Sequence, residues 1–150
     1  MDTIIDEITQ AKNTLKLDSG SCCLLSEEEA RDTLNSIISK FVNDANRRWW
    51  WENFRSEGFS RKLENGFQRI CELVPNPNEI VWFICEEDQM DYFPVYEATP
   101  KTIQSVISEC YGFEYYIVPK DLSWLLCENH HDMMIAVGSI VEERLKTLSG

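Results

Sequence analysis

The sequence predicts an α+β protein, with a helical N-terminal half and a mostly antiparallel sheet with additional helices in the C-terminal half. Three observations carry this. Apolar residues recur at three- and four-residue intervals as far as Val74. From Glu79 onward that period gives way to short, continuous apolar runs. The last runs are separated only by "PKD" and "ENHHD", too short for anything but antiparallel hairpins. The chain has 150 residues, 43% of them apolar, and shows no linker, repeat or low-complexity stretch. It reads as one α+β domain, 1–150.

The elements follow in order. Ile4, Ile5 and Ile8 sit at helical spacing, and that helix ends near the turn residues "DSGS". Ser26 with Glu29 forms a capping box opening a second helix, whose stripe is Leu34, Ile37, Ile38, Phe41 and Val42. Glu27, Glu28 and Glu29 fall in its first turn, where the helix dipole favours them. Trp50 and Phe54 form an i,i+4 pair on a further helix that Gly58 stops. Leu63, Phe67, Ile70, Cys71 and Val74 predict another, ended by "PNPN".

"EIVWFIC" then reads as a strand covered on both faces. The charged loop "CEEDQMDY" leads to an extended piece, "YFPVYEA", which Pro94 marks as an edge. Thr99 before Pro100 starts a helix that Gly112 ends. Strands are expected at 113–118, 122–127 and 133–138, and Ser139 with Glu142 is a second capping box for the last helix.

Charge narrows the function classes. The net charge is −12, and the one basic segment, 47–69, holds 6 basic against 3 acidic residues. That balance excludes a general nucleic-acid or anionic-membrane binder and suits a basic protein partner. No run of apolar residues is long enough to span a bilayer, and "MDTIIDEITQ" lacks the features of a signal or transit peptide. Six cysteines without a C-x-x-C, four of them singly placed in apolar stretches, read as free thiols of a cytoplasmic protein.

Three segments carry candidate chemistry. "ENHHD" at 128–132 holds the only two histidines, His130 and His131, flanked by Glu128 and Asp132. With Glu128 and Met133 closing the ladder, Asn129 to Asp132 makes a four-residue turn, Asn129 bonding backbone further on. The functional alternative makes Glu128, His130, His131 and Asp132 an acid/base or metal set. No third histidine and no cysteine at ligand spacing support a metal, so neither a metal site nor a cofactor is expected. Glu86, Glu87, Asp88 and Asp91 form an acidic loop suited to a basic partner. Trp49, Trp50 and Trp51 cannot share one narrow face, so part of that aromatic surface needs a second packing partner.

The block "FEYYIVPKDLSWLLCENHHD" with the upstream "WWWENF" resembles an uncharacterised bacterial family of small, acidic, single-domain proteins. The likeness runs from Trp49 to the final helix, and its marks are Trp49–Glu52, Tyr115–Val118, Trp124 and Glu128–Asp132. It implies no activity and transfers no catalytic residue. In size, acidity and element pattern the chain also resembles toxin-immunity proteins. The resulting expectation is a non-catalytic cytosolic binding protein, of which an immunity protein masking a basic toxin domain is one form. Its acidic loop would attract the partner and one of Trp49–Trp51 would anchor it. The alternative is a small hydrolase or lyase working at Glu128–Asp132. A third reading is a homo-oligomer packed through the tryptophan segment.

Overall fold

The computed structural model describes residues 3–43 and 50–149. Seven strands form one sheet in the order β1-β4-β3-β5-β6-β7-β2, every neighbouring pair antiparallel. They are β1 (Cys22–Leu24), β2 (Phe59–Lys62), β3 (Val81–Cys85), β4 (Val95–Ala98), β5 (Tyr115–Pro119), β6 (Leu125–Glu128) and β7 (Met133–Val137). Among the described residues five α-helices accompany them: α1 (Ile4–Leu15), α2 (Glu27–Phe41), α3 (Ile70–Leu73), α4 (Pro100–Ser108) and α5 (Ser139–Thr147). The α+β class stands, with the long α1 and α2 preceding most of the sheet.

The continuous apolar runs have a simple cause: the sheet is covered on both faces. Alternate strand residues Val81, Phe83, Tyr115, Ile117, Leu126, Met134 and Ala136 meet α1, α3, α4 and α5 in one buried cluster. Their neighbours Ile84, Tyr116, Val118, Leu125, Cys127 and Ile135 meet α2 and Trp50 in a second. Among the described residues no helix is long and apolar enough to cross a membrane.

Local chemistry sets the helix ends. Ser26 accepts the Glu29 N–H at 3.2 Å, and Glu29 returns the bond to the Ser26 N–H, the expected capping box. Thr99 caps α4 with Pro100 in its first turn. At α5 only half of the expected box forms: Gly138, not Ser139, is the N-cap, and Glu142 accepts its N–H at 2.9 Å.

Three expectations are corrected. The helix around Trp50 and Phe54 is a single 3-10 turn, Trp50–Glu52, because the chain must enter β2. Gly58 makes that entry at φ +63, where a Cβ would stand 2.1 Å from the Ala136 carbonyl oxygen. The helix from Leu63 to Val74 is a 3-10 segment, Gly66–Arg69, followed by the four-residue α3; Asn65, left-handed at φ 54, prevents an earlier start. Pro94 does not mark an edge strand. It lies just before β4, where no ladder donor is needed, and the unforeseen β1 covers that side.

Candidate functional site

The topology gathers distant acidic residues at one end of the sheet. There β3 runs out into the 86–91 loop, β5 begins, and β6 turns into β7. The Glu86 N–H donates to the Glu114 carbonyl at 3.0 Å and extends the β3–β5 ladder by a step. Their side chains are therefore cross-strand neighbours on the face of Ile84 and Tyr116.

Glu114, only 6% exposed, also holds the hairpin tip. Its Oε2 accepts the His130 backbone N–H at 2.8 Å and faces Nδ1 of the same ring. Burial works to raise the Glu114 pKa. Contact with the neighbouring Glu86 carboxyl and hydrogen bonds from the His130 backbone and ring outweigh it and leave the carboxyl below its usual range. A carboxylate beside Nδ1 places the imidazole proton there and fixes the ring's orientation. His130 is 52% exposed and presents the rest of its ring to the surface.

The tip is built on Asn129. Its Oδ1 accepts the N–H groups of His131 and Met133 at 2.9 and 3.2 Å, the side-chain role the sequence predicts. The ladder closes one step later than expected: Glu128 pairs with Met134, and the Asn129 N–H donates to the Met133 carbonyl. That leaves a three-residue loop whose last member, Asp132, is left-handed at φ 59.

On the opposite face the Tyr115 hydroxyl donates to Glu128 Oε1 at 2.8 Å. The backbone N–H groups of Gly66 and Phe67 lie near the Glu128 carboxylate and favour its charged form. Burial pushes the Glu128 pKa up, Tyr115 opposes this, and the charge of Asp132 adds to it. A cleft of about 410 Å³ opens here, bounded among others by Phe67, Phe113, Tyr115, Glu128, His130 and Asp132.

The tryptophans divide as their spacing requires. Trp50 is 3% exposed and packs on Tyr116 at 4.7 Å and Phe93 at 5.6 Å between ring centroids. It is a core residue, not an exposed anchor. Trp51 is half-buried and stands edge-on to His130 and His131 at 6.0 and 5.9 Å, the two imidazoles 3.9 Å apart. Trp49 lies outside the described residues. In the acidic loop, Glu87 accepts the first helical N–H of α1, from Ile4, at 2.8 Å, and Asp91 pairs with Arg31 at 3.0 Å. Asp88 is exposed and Glu86 half-buried.

The structure thus brings Glu128, His130 and Asp132 to one cleft, with His131 and Trp51 beside it, while Trp50 points into the core. Among the described residues no three His, Cys, Asp or Glu side chains are placed to hold a metal ion. Cys127 is fully buried and its thiol pKa is pushed well up, which makes it a poor nucleophile partner for a histidine. Sequence reasoning missed Glu114 and Tyr115. A glutamate opening an apolar run was the only signal, and its meaning depends on the β3–β5 register.

The chain belongs to a family of unknown function, DUF6756, whose model matches residues 2–149. No curated protein and no solved structure gives a significant match to it.

Proposed function

We propose that the protein is a non-catalytic binding module for a basic protein partner, docked at the acidic end of the sheet. An immunity protein masking a basic toxin domain is one form this takes. One observation carries the reading: three separate connections bring Glu86, Glu87, Asp88, Glu114, Glu128 and Asp132 to that end. Such a field attracts and orients a basic surface. The six free thiols suit a reducing compartment, and the cytoplasm is the proposed location.

Co-purification from the native host tests this, comparing wild type with a variant neutralised at Glu87, Asp88 and Asp91. One stoichiometric basic protein, recovered with wild type and depleted with the variant, supports the reading. Equal recovery moves the contact elsewhere. A monomeric mass in solution would remove the alternative of a homo-oligomer packed through Trp49–Trp51.

A second reading, acid/base catalysis by a small hydrolase or lyase, is favoured by one feature. Glu114 holds His130 by Nδ1, as a carboxylate holds a histidine base. Turnover of a panel of ester, amide and phosphoester substrates that disappears in His130→Gln would establish it.

A further inference from the structure

The binding reading leaves open what the cleft beside the hairpin tip takes. We propose that it receives the guanidinium of one arginine side chain of the protein partner, an assignment that rests on the binding-module reading above. At about 410 Å³ the cleft admits a single side chain but no folded element. It falls at the small end of ligand pockets, which span roughly 300–1,000 Å³.

Its walls match a flat organic cation. Phe67 and Phe113 present half-buried rings, and Tyr115 closes the floor, its ring 6.0 Å from that of Phe113. A guanidinium stacks on such rings, its charge drawn to their negative faces. The lining includes Glu128 and Asp132 and no lysine or arginine.

The acceptors have capacity left. A carboxylate offers about four acceptor positions, and Glu128 gives one to the Tyr115 hydroxyl. Asp132 is exposed, and among the described residues its carboxylate accepts no hydrogen bond. The two acids repel each other, so a cation between them relieves a cost already present in the fold. A guanidinium reaches both carboxylates through separate N–H donors while its face covers a ring. An ammonium is a strongly hydrated point charge that gains less from this geometry.

The test uses the whole protein and three small probes: the N-acetyl methylamides of arginine, lysine and citrulline. They are titrated against backbone amide resonances. Saturable shifts at Phe113, Tyr115 and Asn129 are expected with arginine, weaker shifts with lysine and none with citrulline, the neutral isostere. Asp132→Asn and Glu128→Gln should each weaken arginine binding about tenfold, the loss of one charge-assisted contact. Asparagine tolerates the left-handed backbone at 132, so that variant folds even if the loss of charge at Glu128 disturbs its contact with Tyr115. Equal response to citrulline, lysine binding as tight as arginine, or indifference to both variants would overturn the assignment. If the arginine probe binds but no basic protein co-purifies, the cleft assignment stands and the partner reading fails. If a basic partner co-purifies and binds both variants unchanged, the reverse holds.

Discussion

Glu114 Oε2 meets His130 twice, accepting its backbone N–H at 2.8 Å and facing its ring at Nδ1. One nearly buried carboxylate therefore ties the tip of the β6–β7 hairpin to the first residue before β5. The join orients the imidazole, and the same oxygen supplies a backbone donor with its acceptor.

This makes Glu114 an acid-sensitive fastener. Its folded-state pKa is below the ordinary value, so its stabilisation is present above about pH 4.5 and is lost as pH falls through the folded value. Glu114→Gln should cost about 1.5–3 kcal/mol near neutrality, the range for losing a hydrogen bond to a charged group. Urea unfolding of wild type and variant gives the difference, which should shrink as pH falls from neutrality through the folded value. A gap of the same size throughout would mean that the ionised carboxylate is not what holds the tip.

Glu128 carries the opposite sign. Burial raises its folded pKa, so its contribution is complete below the unfolded value near 4.5 and declines as pH rises through the folded value. Glu128→Gln keeps an acceptor for Tyr115 while removing a desolvated charge. At pH 8 the variant is expected to match or exceed wild type by up to about 1 kcal/mol, with the advantage vanishing near pH 4. Thermal unfolding across that range decides it. A variant destabilised most at high pH would show that the charge itself stabilises the site.

Several local signals survived the comparison with the structure, though the Ser139–Glu142 box formed only in half and the Trp50–Phe54 pair did not make a helix. Ser26 with Glu29, Thr99 with Pro100 and the Asn129 turn are contacts within five residues, so their chemistry was legible without the fold. The split of Trp50 from Trp51 was legible in outline, since adjacent side chains diverge in any backbone. The helix expected from Leu63 to Val74 failed because its apolar spacing serves packing against α4, while Asn65 sits left-handed. Glu114 was invisible as a site residue, because its meaning lies in Glu86 across β3 and His130 across the hairpin. A single sequence does not state which strands pair.

Gly58 is the backbone position least able to change. Its φ of +63 is costly for any side chain, and a Cβ there would stand 2.1 Å from the Ala136 carbonyl oxygen in the neighbouring strand. Gly58→Ala should destabilise by more than about 2 kcal/mol, since strain and collision add. By contrast Gly20→Ala, with nothing within 4 Å of the new methyl, should lie within about 0.5 kcal/mol of wild type. Denaturant midpoints for the two variants compare them directly. Similar midpoints would mean that β2 can shift away from β7 at little cost.

Trp50 and Trp51 are neighbours with different fates, and the difference bears on function. Trp50→Ala should cost about 3–5 kcal/mol, as for other large core truncations, because the indole fills the space between α2, Tyr116 and Phe93. Trp51 is half-buried, and its Nε1–H is buried without a partner among the described residues. An unsatisfied buried donor costs about 1–3 kcal/mol, so Trp51→Phe, which keeps the ring against His130 and His131 but drops the donor, should be neutral or stabilising. Thermal unfolding of the two variants settles the contrast. A large loss in Trp51→Phe would show that the indole nitrogen already has its partner inside the fold. Trp51 would then be unavailable as the aromatic contact for a partner at the hairpin tip.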